Sequence, residues 1–266
     1  MISLVNPHLY HLNPYSIPLL IIGVLSLIVG CFLIFENSSL RYNWCVLYIC
    51  FCVFIWQMCE ALMLNSLYLE NTFVFGRVFF IPFVLLPAGI YHLSIILTNK
   101  NYRQRWWIFF VYTEAVLLSI LSFKEGILTG FISTFYGFYP MVGPLVVFFV
   151  LFIVQCFMLS FLNFTHYHIF QIGKSQRRQT RFFMITFLAL LLSFYDLILC
   201  YDPLQGYPFG YIGLLGFIMS VLFYKIRMTA QVYSQREGIY KNEIAIKSDE
   251  FSKVFNELGS AQLKLM

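Results

Sequence analysis

The sequence has little charge and none of the short motifs that mark the common catalytic sites. Charged residues make up 11% of the chain, against roughly 25% in a typical soluble domain. It contains no HExxH zinc motif, no GxSxG nucleophile elbow and no Walker loop for nucleotide phosphates. We therefore predict that the chain is not an enzyme and that it carries no metal site and no cofactor.

The cysteines also lack a functional pattern. No two of them have the CxxC spacing of metal and redox sites, and no Cys/His metal spacing is present. All of them lie within or at the edges of apolar segments, which argues against a disulfide framework. We interpret them as small apolar side chains. They are residues 31, 45, 50, 52, 59, 156 and 200.

The abundant feature is long apolar sequence. Hydrophobic residues make up 60% of the chain and aromatic residues 20%. A transmembrane helix needs about 17–25 predominantly apolar residues, and seven runs meet that requirement. We predict an all-α membrane protein, a bundle of seven transmembrane helices in the cell (inner) membrane. The runs are 17–35, 44–66, 73–97, 106–122, 143–164, 181–200 and 209–227.

Basic residues predict the orientation of this bundle. Ten of them follow spans one, three, five and seven, whereas the opposite side has only Lys124 in a loop and Arg77 just inside a span. Because cytoplasmic loops are enriched in Lys and Arg, we expect the N-terminus outside and the C-terminus in the cytoplasm. The net charge of +5 then needs no nucleic-acid partner. The ten residues are Arg41, Lys100, Arg103, Arg105, Lys174, Arg177, Arg178, Arg181, Lys225 and Arg227.

These features divide the chain into three parts. Residues 1–16 form an extracytoplasmic tail without Lys or Arg, so they lack the basic region of a cleaved signal peptide and span one is expected to be retained. Residues 17–227 form the transmembrane domain, in contact with the lipid bilayer. Residues 228–266 form a polar cytoplasmic tail.

Four ionisable residues lie inside the predicted spans. They are Glu60, Arg77, Glu114 and Asp196. A charge at the centre of a bilayer-spanning helix costs about 2.5–3.5 kcal/mol on insertion scales, so such residues usually face the bundle interior and serve a function. Glu60 and Arg77 are predicted about 6–9 Å below the outer boundary on consecutive helices, which makes them the best candidate pair. Asp196 is expected at a similar depth, and Glu114 near the midplane.

Three interpretations of this cluster remain open. The residues could form a structural ion pair that fixes helix packing. They could line an outward-facing pocket, in which Arg77 receives an anion or the carboxylates receive a cation. They could also translocate a proton or another ion. Beneath them, Pro82 and Pro87 of span three are hinge candidates, since each removes a helical N–H. The aromatic, glycine-rich loop at 123–142 is expected to form a lid or re-entrant cap.

Two further polar residues have simpler interpretations. His92 is expected to be a hydrogen-bonded packing histidine rather than a proton relay. Lys225 lies at the cytoplasmic end of span seven, where a lysine extends its amine to the interface. It is too close to that end for the Schiff base of a retinal protein. Lys225 and Arg227 are instead candidates for signal transmission from span seven.

The tail carries an apolar stripe at heptad spacing. Positions 240, 244, 247, 251, 254, 258 and 261 read Tyr, Ile, Lys, Phe, Val, Leu and Ala. Such a stripe predicts a short helix that forms a parallel homodimeric coiled coil, and an amphipathic helix lying on the membrane is the alternative. Gly238 is expected to separate this helix from span seven. Ile244 and Phe251 are candidates for signal transmission through it.

Several segments resemble one family of receptors. They include 60–64 (EALML), Arg77, 81–88 (IPFVLLPA) and 91–93 (YHL) in spans two and three. Over roughly residues 17–230 the chain resembles the N-terminal seven-helix sensor region of bacterial and archaeal histidine kinases. Later similar stretches are 143–145 (GPL), 177–179 (RRQ), Asp196, 207–210 (YPFG) and 223–228 (FYKIRM).

The resemblance implies a sensory input module for an extracytoplasmic or membrane-embedded signal. The chain has no phosphoacceptor-histidine helix, no ATP-binding domain and no GGDEF motif. We therefore expect it to signal through a separate kinase, cyclase or response regulator. The alternatives are a small transporter or channel-like protein, or a structural subunit of a membrane complex. Transporters more often show paired internal repeats, into which seven spans do not divide.

Overall fold

Most of the chain folds into α-helices. The computed structural model describes residues 10–36, 40–98, 104–124, 126–170, 174–194 and 209–263. These ranges contain a short 3₁₀ helix (Pro14–Ser16), seven α-helices and one β-hairpin. The helices are α1 (Ile17–Glu36), α2 (Arg41–Asn65), α3 (Leu69–Leu97), α4 (Arg105–Leu121), α5 (Val146–Phe170), α6 (Lys174–Ser193) and α7 (Gly210–Leu263), and the strands are β1 (Leu128–Thr134) and β2 (Gly137–Val142).

Five helices in the described ranges are long and apolar enough to cross a membrane. These segments are Pro14–Glu36, Arg41–Asn65, Leu69–Leu97, Val146–Phe170 and Gly210–Arg227. Their number, length and composition identify a multi-pass membrane protein. Helix α4 has 17 residues, and the apolar part of α6 covers only Arg181–Ser193.

Helices α2 and α3 are antiparallel and define two ends of the bundle. In the first half of α2, the Cys45 thiol donates to the Gly89 carbonyl of α3 at 3.5 Å and the Tyr48 hydroxyl to the Leu85 carbonyl at 3.3 Å. The first half of α2 therefore lies beside the second half of α3. We call this the arginine end, because Arg41 and Arg105 begin α2 and α4 there. The opposite end, where α2 stops at Asn65, is the hairpin end.

Small side chains let α1 approach α2 closely. Ser26 donates to the Cys50 carbonyl of α2 at 3.1 Å. A Cβ at Gly30 would lie 2.9 Å from the Cys50 Cβ, and a Cβ at Gly23 would lie 3.2 Å from the Gln57 Cβ. Small residues at such spacing are typical of membrane helix contacts, which depend on packing rather than on hydrophobic burial. This contact places Gln57 and its neighbours against α1.

The predicted lid is an antiparallel β-hairpin, so the expectation of an all-α fold is wrong at this point. Strand β1 pairs with β2 in the register Ile132 opposite Tyr139, and the turn is Phe135–Tyr136. β-branched and aromatic residues fill both strands, and these favour a half-buried pleated surface. Tyr136 and Tyr139 are fully buried against Leu19, Ala61 and Leu64. The hairpin therefore covers α1 and α2 at the hairpin end.

Helix α7 is unbroken through Gly238, which corrects the predicted short, separate tail helix. The chain divides into two compact units, Met1–Ile218 and Met219–Met266, and α7 runs from the first into the second. One glycine costs a helix only about 1 kcal/mol relative to alanine. That cost is too small to end a helix of this length. The space around Gly238 is open, since no neighbouring atom lies within 4 Å of the position of a Cβ there.

Candidate functional site

Glu60 is a fully buried carboxylate on α2. Its exposed fraction is 0%, as is that of Gln57 one turn earlier. The Gln57 amide donates to the carboxylate, with 3.4 Å between Nε2 and Oε2. Because an ion without polar partners is costly to bury, this amide is an essential part of the site. Sequence reasoning missed Gln57, although its i, i+3 spacing from Glu60 was a usable signal.

Aromatic rings fill the bundle beside this carboxylate. Trp56 precedes Glu60 by one helical turn and packs on Phe83 of α3, with ring centroids 4.7 Å apart. It also lies 6.1 Å from Phe79 of α3 and 5.9 Å from Phe194, the residue after α6. Helices α2 and α3 and the end of α6 thus meet in an aromatic cluster. The bundle at this level is packed with side chains.

Arg77 is half-buried on α3, close to the hairpin. Its neighbour Gly76 faces strand β1, where a Cβ would lie 2.5 Å from the Phe131 ring. In the described part of the chain Glu60 accepts from Gln57, and no ion pair within 4.0 Å joins it to Arg77. The structure therefore places both residues near the hairpin end without the direct ion pair that the sequence suggested. Asp196 lies outside the described residues.

Glu114 belongs to a different contact. It is half-buried on α4 and accepts from the Gln155 amide of α5, with 3.1 Å between Nε2 and Oε2. Both described carboxylates of the predicted cluster therefore interact with a glutamine amide, one within a helix and one between helices. Gln155 could not have been found from sequence, because its role depends on how α4 and α5 are rotated toward each other.

The hairpin end is closed by one asparagine. The Asn13 amide donates to the Leu64 carbonyl at 3.1 Å and to the Tyr136 carbonyl at 2.8 Å. Its backbone N–H donates to Asn65 Oδ1 at 2.7 Å. These bonds join the N-terminal segment, the end of α2 and the turn of the hairpin. Next to these bonds, Tyr136 and Tyr139 pack against Ala61 and Leu64 in the last turns of α2.

Tyr10 adds a contact at the same end. It forms an isolated antiparallel bridge with Ser66 and packs against Phe75 of α3 at 6.3 Å. Partial burial there raises the pKa of the Tyr10 phenol. The segment before α1 is therefore part of the cover over the hairpin end rather than a solvated tail at these positions.

A buried polar network lies toward the arginine end. Asn163 of α5 donates to the Ser94 hydroxyl of α3 at 3.1 Å and accepts from the Gln104 amide at 3.1 Å. Gln104 precedes α4, and its carbonyl oxygen faces the Tyr91 hydroxyl at 3.5 Å. This network fixes α3, α4 and α5 relative to one another. Sequence reasoning did not single out any of these four residues except Tyr91, within the YHL segment.

His92 lies at the edge of a groove at this same end. Its Nδ1 is 3.3 Å from the Tyr112 hydroxyl of α4, in agreement with the predicted hydrogen-bonded packing histidine. The Tyr112 ring packs edge-on against Tyr48 of α2, with centroids 5.9 Å apart. These three side chains form one wall of a cavity of about 700 Å³. Neither Glu60 nor Arg77 lines it.

The remaining predicted residues lie on single helices. Pro82 and Pro87 are both buried within α3, which continues from Leu69 to Leu97 without a break. Lys225 and Arg227 are half-buried on α7. Ile244 and Phe251 are 67% and 72% exposed further along the same helix. Their roles as hinges and in transmission stay predictions.

Comparisons with known proteins add no family assignment. No protein-family model matches the chain, and no match to a curated protein was found. Among the described residues, no group of three or more His, Cys, Asp or Glu side chains is placed to hold a metal ion.

Proposed function

We propose that this chain is a seven-helix sensory module of the inner membrane, which passes a signal through α7 to a separate cytoplasmic protein. The observation that carries the proposal is the continuity of α7. This single helix begins with a membrane-crossing segment, Gly210–Arg227, and continues to Leu263. Its later part presents three exposed apolar residues of the heptad stripe, Tyr240, Ile244 and Phe251. A rotation or shift of the first part can therefore reach the stripe without crossing a loop.

The path of the chain between the two ends supports seven crossings. After α1, α2 and α3, the chain is at the arginine end, yet the hairpin that follows α4 covers the hairpin end. Helix α4 must therefore traverse the bundle, although its 17 residues span only about 26 Å. Near its end, α5 contacts α3 toward the arginine end, where Asn163 donates to Ser94. After α6, Phe194 packs against Trp56 of α2, at the level of the aromatic cluster. At the start of α7, Tyr211 packs against the group of buried residues that includes Tyr136 and Tyr139 of the hairpin.

Side chains at the arginine end support a cytoplasmic location for that end. Exposed Trp44, Trp106 and Trp107 lie within four residues of Arg41 or Arg105. Tryptophan is enriched at membrane interfaces, and arginine at cytoplasmic ones. The hairpin end would then face outward, together with the N-terminal segment.

Glu60 is our first candidate for the sensing residue. It lies one helical turn before Leu64, whose carbonyl accepts from Asn13, and its full burial makes its energy depend on the packing of this end of α2. A ligand can shift a protein between two states only by binding them with different affinity. A signal that displaces the hairpin would let water reach Glu60, which changes the energy of the buried carboxylate. Arg77, beside the hairpin at Gly76, is the second candidate, and Asp196 is the third.

The proposal can be tested with a fusion of α7, in heptad phase, to the kinase helix of an output protein. Glu60→Gln and Arg77→Gln are expected to change basal or stimulated kinase output at least threefold. Glu114→Gln is the matched control, because it alters a carboxylate of the same chemistry away from the hairpin. Glu114→Gln is expected to keep the output of the parent, and if Glu60→Gln and Arg77→Gln also insert normally and keep it, the sensing role is wrong. A loss of stability without a change in output would instead favour a structural subunit.

A further inference from the structure

The groove at the arginine end has two cations at its mouth and apolar walls. It is lined by residues of α2, α3 and α4, and its volume of about 700 Å³ falls within the range of ~300–1,000 Å³ that is typical of ligand pockets. Among the described residues no Asp or Glu lines it. The lining residues are Arg41, Trp44, Cys45, Tyr48, His92, Ile96, Arg105, Ile108 and Tyr112.

The positive charges of this groove lie at one end of it, where they can bind an anion. Arg41 and Arg105 begin α2 and α4, and both side chains are exposed. Further along the groove, Cys45, Ile108 and the Tyr48 and Tyr112 rings offer a largely apolar surface. A ligand that fits must therefore have a negative group at one end and a hydrocarbon portion at the other.

Tryptophans set the depth of the mouth in the membrane. Trp44 lines the groove, and Trp106 adjoins Arg105, whose guanidinium lies 5.9 Å from the Trp106 ring centre. Trp side chains accumulate at the level of lipid headgroups. The two arginines are therefore at the level of phosphates, and the groove extends from there into the hydrocarbon region.

We propose that this groove binds an anionic membrane phospholipid, with the phosphate held by Arg41 and Arg105 and an acyl chain lying along Ile108 and Tyr112. Basic pockets between transmembrane helices at the cytoplasmic side are suited to such headgroups. Arginine is also the residue best matched to phosphate geometry. This site is at the opposite end of the bundle from Glu60, so the inference rests on the proposed cytoplasmic location of the arginine end but not on the proposed sensing role.

The test uses the full chain in a neutral detergent, titrated with phosphatidylglycerol or with phosphatidylcholine of the same acyl chains. Bound lipid is counted by native mass spectrometry. Each charge-assisted contact contributes about a tenfold factor in affinity. Arg41→Gln/Arg105→Gln is therefore expected to weaken phosphatidylglycerol binding at least tenfold. The double variant Arg181→Gln/Arg227→Gln removes the same charge outside the groove and is expected to change binding less than threefold.

A second pair of variants tests the apolar part without changing charge. Ile108→Trp adds volume within the groove and should reduce phosphatidylglycerol binding to a similar extent. Val116→Trp places the same side chain at an exposed position of α4 that does not line the groove, and should leave binding unchanged. If the double arginine variant does not fold, this pair tests the inference instead, and equal binding by Ile108→Trp and Val116→Trp would contradict it.

Three results would overturn the inference. They are equal loss in both double charge variants, binding of phosphatidylcholine as tight as that of phosphatidylglycerol, and displacement of the lipid by millimolar inorganic phosphate. The first would mean that the lipid is held without the arginine pair, and the second that the groove does not select a lipid with a net negative headgroup. The third would mean that the arginines bind a free anion and that the groove contributes nothing.

Discussion

The Gln57 side-chain amide donates a hydrogen bond to the Glu60 carboxylate within α2, with 3.4 Å between Nε2 and Oε2. Both side chains are completely buried. One turn of helix therefore holds both an ionisable group in the membrane domain and a polar group that compensates its burial. Gly23 of α1 gives this turn its space, because a larger residue there would press on the Gln57 Cβ.

Replacement of Gln57 by Leu is expected to lower the free energy of unfolding by about 1–3 kcal/mol, since the buried Glu60 carboxylate loses the hydrogen bond from the Gln57 amide. Unfolding of the detergent-solubilised protein in a titration with sodium dodecyl sulfate measures this quantity. Adding Glu60→Leu removes both partners, so the double variant should be less destabilised than the sum of the two single variants. Strict additivity would show that the two side chains do not interact.

The hairpin turn depends on Gly137. Its φ is +123°, and a Cβ would lie 2.7 Å from the Leu64 carbonyl oxygen of α2. Gly137→Ala is therefore expected to cost about 1–3 kcal/mol in stability from backbone strain, with an added steric term. Gly130→Ala is the matched control on strand β1, because nothing lies within 4 Å of its Cβ position. Equal thermal unfolding midpoints for the two variants would contradict the close contact between Gly137 and Leu64.

Asn13 joins the N-terminal segment to both α2 and the hairpin. Asn13→Asp keeps the oxygen that accepts from the Tyr15 N–H at 3.0 Å but loses the two amide donations. We expect a loss of about 2–3 kcal/mol in stability, the cost of leaving buried carbonyl groups without donors, and faster proteolysis between residues 126 and 142. If the protease pattern of Asn13→Asp matches that of the parent, the amide does not hold the hairpin.

The exposed stripe on α7 should mediate contact between two copies of the chain. Cysteines introduced at Ile244 and at Phe251 are expected to crosslink in membranes, because both positions face a partner in a parallel coiled coil. Glu243→Cys, on the charged side of the same turn, is the control and should crosslink several times more slowly. A membrane-lying helix would give no crosslink at either stripe position.

How much was accessible from sequence differs between the elements. The first residue of α1 was predicted correctly, and the bounds of α4 were predicted to within one residue, because apolar runs define helices in a membrane. The hairpin was missed, although residues 128–142 contain β-branched and aromatic residues on both sides of the Phe135–Tyr136 turn, which Gly137 follows. The aromatic residues were interpreted as indicating a lid or re-entrant cap, although they also favour β-strands.

The site was recovered only in part for a physical reason. Sequence identifies an expensive carboxylate such as Glu60 or Glu114, but the polar partner depends on the rotation of each helix about its axis. Gln57 follows from spacing along one helix, whereas Gln155 follows only from the packing of α4 against α5. Arg77 was matched to Glu60 by depth and by their position on consecutive helices, and neither fixes the direction of either side chain.

The Asn13 bond to Tyr136 has a consequence for how the protein is made. The two residues are 123 positions apart in the chain, and synthesis at about 5–20 residues per second separates them by roughly 6–25 s. Helices α1 and α2 are complete once residue 65 has been made, whereas the Tyr136 carbonyl that accepts from Asn13 is still to be synthesised. The end of α2 at Leu64 therefore forms without the hairpin beside it, and α3 and α4 must be synthesised before the Asn13 side chain can join the two.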